Sequence, residues 1–582
     1  MYKQKPKHFI RLRFNVVLFL QPSERMQYPT KELLAKEWEF IKLSMSYLSI
    51  IVTSVSLAFV TVLFAGNINQ AHLDGVGLAN TIFNVVVMSV SSGYSSVFDT
   101  YGPQVYGSSE PGELATVLVK CLLQGGMIHL TILGPYLNLV YVIRMLPNSG
   151  LYPTVNAGSE TAMEDFRDLA VKYLRMTLIV EFLDYAVTMM LRYFAIQGQN
   201  KIVYAVSLVM ATVHILANYL LVSVLGLGVE GLGLAAITGR TLALIVSVGI
   251  CVVNIKKGLF PWKGMNMRVL LGWKPMIKLG VSGAINVFAE VALYEISTFC
   301  SQFASTTTLS VIIIYIQIMS VWWATSFAIS RTAATLIGKA LVEGSVIRVK
   351  QYMQLTLINT LLEAVPTAVI SYFFREYLVR IFQDDPDVID AFTSVTWLAC
   401  IGLILTHLQT SLNQGVLIAF GAQRFTALTM SMSCYLVGLP LIIMTIFLTN
   451  LGVTGIFLGW MTSDTIILIA AVIKIWKTDI LEEIEKSRRR VANMDKTVEA
   501  FENPAYNVTE GDVKFRTESK VADQDANIKE LLKEDSVSTQ LFENATFGQN
   551  VHNSQEIRIV VITFVTLAVF CVTSASISLI GG

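Results

Sequence analysis

Residues 286–300 decide the fold, and they read Asn-Val-Phe-Ala-Glu-Val-Ala-Leu-Tyr-Glu-Ile-Ser-Thr-Phe-Cys. They lie in an apolar run from about Met276 to Phe303, which exceeds the roughly 20 residues that a helix needs to cross a bilayer core. Two carboxylates, Glu290 and Glu295, fall near the middle of this run. A carboxyl group at that depth is costly and marks a functional site by default, because it can take up and release protons. The stretch predicts a membrane-spanning helix that carries ionisable groups.

The spacing of the two acids limits what they do together. Five residues at roughly 100° each place Glu290 and Glu295 about 140° apart around an ideal helix. Either the cavity is wide, or the helix bends, or only one acid faces the substrate. Tyr294 is four residues after Glu290, so we expect it to share that face and donate a hydrogen bond. The alternative is that both acids are structural, bonded to hydroxyl groups of neighbouring helices.

The composition predicts an all-α polytopic membrane protein. The 582 residues are 54% hydrophobic and 15% charged, with a mean hydropathy of +0.59. The net charge of +1 gives no basic excess to indicate nucleic acid as a partner. No phosphate-binding loop of the GxxxxGK[ST] type is present, and the six cysteines lack metal-ligand spacing. We therefore expect no metal and no cofactor, and ATP is not the obvious energy source.

Twelve apolar runs before residue 477 divide into two groups of six, which predicts two pseudo-symmetric six-helix lobes. A polar segment precedes them, a linker joins the lobes, and a polar tail leads to a thirteenth, C-terminal transmembrane helix. We predict that the tail is helical around Asp479–Lys496 and otherwise disordered. The predicted segments are 1–42 (N-terminal), 43–254 (first lobe), 255–275 (linker), 276–476 (second lobe), 477–556 (tail) and 557–580 (thirteenth span). The predicted spans are 43–65, 76–98, 114–142, 170–195, 203–225, 229–254, 276–303, 306–328, 351–374, 388–418, 425–448 and 452–476.

Loop charge predicts the orientation. One end of the helix bundle, here called the basic end, collects lysine and arginine and includes the N-terminus. The other, here called the acidic end, has two acid-rich loops. Because basic loops remain in the cytoplasm, we predict a cytoplasmic basic end and tail, with Gly582 outside. The basic set is Lys256, Lys257, Lys263, Arg268, Lys274, Arg331, Lys339, Arg348 and Lys350; the acidic set is Glu160, Glu164, Asp165, Asp168, Asp384, Asp385, Asp387 and Asp390.

An internal repeat relates the two halves. The motif Leu-Gly-Val-x-Gly occurs at residues 227–231 and again at 451–455, each time between the last two spans of its half. Residues 196–199 precede the first copy much as residues 420–423 precede the second. Two six-span halves predict a transporter with a site between or within the lobes.

An ordered set of motifs gives the chain a resemblance to the multidrug and toxin extrusion (MATE) family, in its animal branch. The resemblance covers about residues 43–476. It implies two six-helix lobes, alternating access and organic-cation efflux driven by inward protons. The motifs are Asn84 in the second span, Asp99-Thr-Tyr-Gly-Pro-Gln104-Val-Tyr-Gly, Leu191-Arg-Tyr-Phe-Ala-Ile-Gln-Gly198, Asn218-Tyr219 and Glu290…Tyr294-Glu295.

The chain departs from this family at two acidic positions. The acid of the eighth span falls at Gln317, which cannot titrate. The acid of the tenth span has no clear counterpart, since residues 406–410 read Thr-His-Leu-Gln-Thr. His407 can titrate instead, although a lone histidine in a span is more often packed and hydrogen-bonded.

Two further groups are candidate site residues. Glu181 and Asp184 share one face of the fourth span. They either compensate for the missing acids, or pair with Arg175 or Arg192, or lie near the lipid interface. Trp322 and Trp323 are candidates for cation–π contacts, and equally for anchors at the membrane interface.

The tail contains a peptide motif of the form F-x-N-P-x-Y, made by Phe501, Asn503, Pro504 and Tyr506. It resembles the signals that phosphotyrosine-binding-type adaptor domains recognise in endocytosis. Asn-Pro favours a tight turn that presents the tyrosine, and the preceding residues can add to a sheet edge. A chance occurrence in a polar tail is about as frequent as a working signal.

Together these features predict a secondary active exporter and not an enzyme. Protons enter and small organic cations leave, and Glu290 and Glu295 carry the coupling. We expect a multi-pass protein of the plasma membrane. The alternatives are a lipid-linked saccharide flippase of similar architecture, which would favour an arginine-lined cavity, and a non-transporting scaffold or receptor. The sequence leaves sodium coupling open.

Overall fold

The computed structural model describes residues 30–145, 160–260, 267–449 and 451–502, and within these ranges the regular secondary structure is helical. Thirteen long helices are labelled in chain order, with interrupted helices counted as one. They are α1 (Thr30–Ile68), α2 (Ala71–Tyr106), α3 (Leu114–Met145), α4 (Glu160–Ile196), α5 (Asn200–Val224), α6 (Gly228–Lys256), α7 (Trp273–Ser301), α8 (Thr306–Glu343), α9 (Val346–Phe373), α10 (Pro386–Ala419), α11 (Gln423–Leu448), α12 (Gly452–Trp476) and α13 (Ile480–Glu502). Short helical turns lie at Pro111–Glu113, Met267–Leu270 and Arg375–Arg380.

Eleven of the described helices are long and apolar enough to cross a membrane, which confirms an all-α polytopic membrane protein. They are α1 to α3 and α5 to α12. The helix α4 occupies the predicted fourth span but carries five charged side chains between Lys172 and Arg192, which lower its hydropathy. The predicted thirteenth span, residues 557–580, lies outside the described residues, as does the N-terminal segment before residue 30.

The two halves repeat at the level of backbone conformation. Gly228 and Gly452 begin α6 and α12 with φ of 56° and 50°, a left-handed conformation that glycine adopts without strain. Gly198 and Gly421 follow α4 and α10 with φ of 73° each. The paired glycines support the sequence repeat, because the same turn occurs at matching places in each half.

Each half has its own hydrophobic core. The first joins α1 to α6, with Ala65, Tyr136 and Leu232 among its buried members. The second joins α7 to α12 and includes Leu293 and Phe457. Here these two halves are called the N-lobe and the C-lobe.

The lobes meet closely where α2 crosses α7. A Cβ atom built on Gly93 would lie 2.3 Å from the backbone oxygen of Gly283, and one built on Gly280 would lie 2.2 Å from the ring of Tyr94. Small residues let helix backbones approach in a membrane, where van der Waals packing drives association. This crossing fixes the position of α7, and with it Glu290.

One face of α8 shows where the lobes part. Ser44 of α1 donates a hydrogen bond to Thr332 at 3.1 Å, and Tyr47 pairs with Thr335 at 2.7 Å. Gln317 precedes Thr335 by five whole turns and so shares its face, yet Gln317 is exposed. The contacts between α1 and α8 therefore lie toward the basic end, and the side of α8 that makes them becomes exposed toward the acidic end; the space beside α8 at that end is here called the cleft.

Two basic residues assigned to a loop lie instead inside α8. That prediction was wrong because α8 continues to Glu343, well beyond the predicted end of the eighth span at residue 328. Arg331 is buried against an acid of the N-lobe, and Lys339 donates a hydrogen bond to the carbonyl oxygen of Ile196 at 2.6 Å. Their charge suggested loop positions, but the structure gives each a partner in the N-lobe. Arg331 pairs with a carboxylate, and Lys339 donates to a backbone carbonyl oxygen.

Gly283→Ala is expected to destabilise the protein by about 1–3 kcal/mol, the usual cost of overpacking. The added methyl group would lie 2.2 Å from Ser96 Oγ and 2.3 Å from the oxygen of Gly93, which is backbone and yields little. Thermal unfolding of the purified protein in one detergent measures the effect. Gly249→Ala is the matched control, because a Cβ there has no neighbour within 4 Å. Equal unfolding midpoints for the two variants would contradict the close crossing.

Candidate functional site

Glu290 lies on the inner face of α7, where amide groups of α10 enclose its carboxylate. The residue is 5% exposed. Gln409 Nε2 donates to Glu290 Oε1 at 3.2 Å, and Gln414 Nε2 donates to Oε2 at 2.7 Å. Gln414 belongs to the π-helical segment Leu412–Val416, a local widening of the kind found at functional sites. The two donors are neutral, so Glu290 has no counter-ion among its hydrogen-bond partners.

The amides around Glu290 have spare acceptors. Asn413 Nδ2 donates to Asn286 Oδ1 at 3.4 Å, one turn away on the same two helices. The side-chain oxygens of Gln409, Gln414 and Asn413 are buried and have no hydrogen-bond partner among the residues that the structure describes. A buried acceptor without a donor is costly. The site is therefore able to receive a proton or another donor beside Glu290.

Tyr294 occupies the predicted face of α7, but the expected hydrogen bond to Glu290 is absent, because the donors to that carboxylate are the two glutamines. Its ring packs against Trp460, with centroids 5.0 Å apart. Trp460 also stacks on Tyr315 at 5.7 Å and donates from Nε1 to Ser297 Oγ at 3.0 Å. These aromatic rings form one wall beside the acid.

Asp464 is a second buried acid of the C-lobe, which the sequence analysis missed. It is 8% exposed in the middle of α12 and accepts a hydrogen bond from Thr406 Oγ1 at 2.5 Å. The signal was available, because Asp464 interrupts the predicted span 452–476 as Glu290 interrupts its own.

Glu363, on α9, is a third acid that the sequence analysis did not select. His407 is fully buried, and its Nδ1 lies 2.7 Å from Glu363 Oε2. Thr325 donates to Glu363 Oε1 at 2.5 Å. His407 is thus a packed, hydrogen-bonded histidine, as the commoner interpretation held, but its partner is an acid, and its Nε2 has no partner in the described part of the chain.

Glu295 lies apart from this cluster. It is half-buried on α7 and shows no hydrogen bond or ion pair with the residues that the structure describes. Its side of the helix is shared with Phe288 and Phe299, both exposed, at spacings of seven and four residues. Only Glu290 of the two predicted acids therefore faces the interior of the C-lobe.

The weaker candidates occupy different places. Asn84 is half-buried and begins the π-helical segment Asn84–Met88 of α2. Gln317 is exposed on the cleft face of α8. Trp322 packs against the C-lobe core, and its indole nitrogen has no hydrogen-bond partner within the described ranges. Trp323 packs on Phe327 with ring centroids 3.8 Å apart.

The acids of the fourth span are held inside the N-lobe. Asp184 accepts a hydrogen bond from Arg240 Nε of α6 at 2.7 Å, and Glu181 is buried. The predicted pairing with Arg175 or Arg192 was wrong, because the partner of Asp184 is an arginine of another helix, 56 residues along the chain. Asp184 therefore has a structural counter-ion.

Asp99, the acid of the second-span motif, connects the two lobes. It is 1% exposed and forms ion pairs with Arg192 of α4, at 3.1 Å, and with Arg331 of α8. Arg192 also donates to Ser95 at 2.7 Å. One buried carboxylate thus forms ion pairs with an arginine from each lobe.

The neighbouring motif residues cap the end of α10. A helix leaves its last carbonyl groups without internal partners. Thr100 Oγ1 donates to the oxygen of Ile418 at 2.8 Å, and Gln104 Nε2 donates to that of Ala419 at 2.9 Å. Arg490 of α13 donates to the oxygen of Phe420 at 3.1 Å. Asp99, Thr100 and Gln104 therefore bind the lobes together at the basic end.

The adaptor motif falls mostly outside the described residues. The backbone of Phe501 belongs to the last turn of α13, whereas Asn503, Pro504 and Tyr506 follow residue 502. In the described residues, no group of three histidine, cysteine, aspartate or glutamate side chains is arranged to hold a metal ion.

Comparisons with known proteins match both lobes. The MatE family model matches residues 46–220 and 284–444, more than half of the 582 residues. Multidrug and toxin extrusion protein 1 of Oryctolagus cuniculus is 27% identical over 408 residues, covering 69% of this chain and 68% of that protein. The human protein of the same name is 26% identical over 405 residues, with the same two coverages.

Solved structures share the fold. The crystal structure of the eukaryotic MATE transporter AtDTX14 superposes with a TM-score of 0.72 at 17% identity, covering 79% of this chain and 99% of that one. An outward-facing multidrug resistance MATE family transporter gives a TM-score of 0.62 at 13% identity, with coverages of 79% and 96%.

Proposed function

Because the chain belongs to the MatE family of multidrug and toxin extrusion transporters, we propose that it exports small organic cations in exchange for protons by alternating access. The family members are transporters and not enzymes, and the chain is a multi-pass membrane protein. The proposal adds the driving ion, the charge of the substrate and the residues that couple them.

The observation that carries the proposal is the neutral enclosure of Glu290. Its carboxylate is buried and receives hydrogen bonds from two amides. An arginine or lysine in contact would hold the carboxylate permanently ionised, whereas amide donors permit both protonation states. Glu290 is therefore suited to carry a proton.

The enclosure also accommodates the protonated form. A protonated carboxyl group donates one hydrogen bond and needs an acceptor. The unpartnered oxygens of Gln409 and Gln414 supply acceptors after rotation of an amide group. The same oxygens are suitable ligands for a sodium ion, so the driving ion is a question for experiment.

Competition between proton and cation couples the two fluxes. The hydrogen-bond partners of Glu290, Asp464 and Glu363 in the described chain are amides, hydroxyl groups and an imidazole. Their ionised forms make the C-lobe attractive to a cation, with Tyr294 and Trp460 as an aromatic wall for it. Protonation removes that charge, so a cation that arrived from the cytoplasm is released.

The cleft gives the release a direction. It opens toward the acidic end, which the loop charges predict to be extracellular. A cation released there leaves the cell, and we propose the plasma membrane as the site of action. Parting of the lobes at the basic end would expose the same acids to the cytoplasm.

Purified protein in liposomes with an acidic lumen is expected to accumulate a radiolabelled tetraalkylammonium ion from a neutral medium. Protons leaving the lumen drive the exchange. A matched set of liposomes has equal pH on both sides and a high internal sodium concentration. Uptake that follows only the sodium gradient would replace the proton in the proposal, and uptake in neither set would remove the exchange mechanism.

A further inference from the structure

The first half of α13, residues 480–492, packs against the transporter. Its side chains at positions 483, 484 and 487 are buried, which is the spacing of one helix face. Arg488 Nε donates to the oxygen of Val342 at 3.1 Å, near the end of α8. The sequence alone predicts that Arg488, Arg489 and Arg490 lie on a solvated helix face or touch anionic lipid. That prediction is wrong for Arg488 and Arg490, which are half-buried, whereas Arg489 is exposed.

Each docked arginine fits over a glycine. Gly344 and Gly421 follow α8 and α10 with φ of 83° and 73°. A Cβ atom on Gly344 would lie 2.2 Å from Arg488 Nη2, and one on Gly421 would lie 2.4 Å from Arg490 Nη2. The guanidinium groups thus lie at the carbonyl ends of two helices, where the helix dipole favours positive charge.

Arg490 contacts both lobes. Its Nη1 donates to Gln104 Oε1 of α2 at 2.8 Å, and its Nη2 donates to the oxygen of Phe420, just after α10, at 3.1 Å. The first contact also orients the amide of Gln104, whose nitrogen then donates to Ala419. One guanidinium therefore adds two charge-assisted hydrogen bonds to the interface that closes the basic end.

We propose that α13 is a latch, in which Arg490 holds the lobes together at the basic end and slows opening toward that end. Alternating access requires the Gln104 and Phe420 contacts to separate, so Arg490 must release at least one of them. The latch stabilises the closed arrangement selectively, because Arg490 can make both hydrogen bonds at once only when the lobes are together there. The inference does not depend on which ion drives transport.

Two cysteine reporters test the latch in the full chain. Thr332→Cys is buried at the closed interface, and Gln317→Cys is exposed on the same face of α8 in the cleft. Each reporter is labelled with a membrane-impermeant maleimide from its own side, after subtraction of labelling in the chain without a reporter. Arg490→Ala is expected to raise labelling of the first at least about tenfold, as loss of hydrogen bonds to a charged group implies, and to lower labelling of the second.

Arg489→Ala is the matched control, because the neighbouring arginine is exposed and pairs with Glu485 on its own helix. It should leave both reporters unchanged. Arg490→Lys, the milder variant, should give an intermediate shift in labelling, since a lysine does not reproduce the two-pronged contact.

Labelling that is unchanged in both Arg490 variants would overturn the proposal. A rise at Thr332→Cys without a fall at Gln317→Cys would also overturn it, because that pattern indicates local loosening. So would a Gln317→Cys reporter that is not labelled in the parent chain.

Discussion

Glu290→Gln is expected to reduce proton-driven cation exchange at least about tenfold, because the amide cannot ionise and so neither attracts the cation nor carries the proton. The glutamine has nearly the shape of the protonated acid, so Gln409 and Gln414 retain a partner for most of their hydrogen bonds. Initial rates in liposomes at matched protein content measure the change, with unfolding midpoints to check the fold.

The control for this variant is Glu376→Gln, an identical chemical change at an exposed acid of the short helix Arg375–Arg380. Its exchange rate should equal that of the parent chain. Parent-like exchange by Glu290→Gln would show that coupling lies elsewhere, and Asp464 and Glu363 would be the next residues to test.

Asp99→Asn is expected to destabilise the protein by about 3–5 kcal/mol, the cost of leaving buried charges without a partner. Arg331 is 2% exposed, and both it and Arg192 depend on this one carboxylate. The lobes should therefore separate at the basic end before the helices unfold. The unfolding midpoint in detergent measures the loss.

Two further variants separate this ion pair from charge effects in general. Asp384→Asn removes an exposed acid that pairs with Arg380 at 3.7 Å, and it should change little. Combining Asp99→Asn with Arg331→Met should restore part of the lost stability, because it removes one of the orphaned charges. An unfolding midpoint for Asp99→Asn equal to that of the parent chain would contradict the inter-lobe ion pair.

The sequence was sufficient for the architecture, because hydropathy and repeated turns are local signals. The helices and the two halves were predicted from these signals. Glu290 was predicted as well, since a carboxylate in an apolar run is recognisable by itself. Asp464 and Glu363 carry the same signal and could have been selected by the same rule. Even the fourth span was predicted within α4, despite the charged side chains of that helix.

The partners of these residues could not be predicted from one sequence. Arg331 pairs with Asp99 across 232 positions, and Gln414 reaches Glu290 across 124. The π-helical segment that directs Gln414 toward Glu290 has no recognisable amino-acid composition. A neutral amide in a span also gives no sign, in the sequence, that it binds a carboxylate. Arg331 was assigned to a loop because charge alone does not reveal a buried counter-ion. Contacts between distant helices are set by packing, which hydropathy does not describe.

The central claim is that one carboxylate exchanges a proton for a cation, and simultaneous measurement of both fluxes tests it most directly. Liposomes that contain a pH-sensitive dye and start at equal pH receive the tetraalkylammonium ion from outside. We predict that cation entry drives protons out in a fixed ratio, and that Glu290→Gln loses both fluxes together. Cation entry without any change in internal pH would contradict the account.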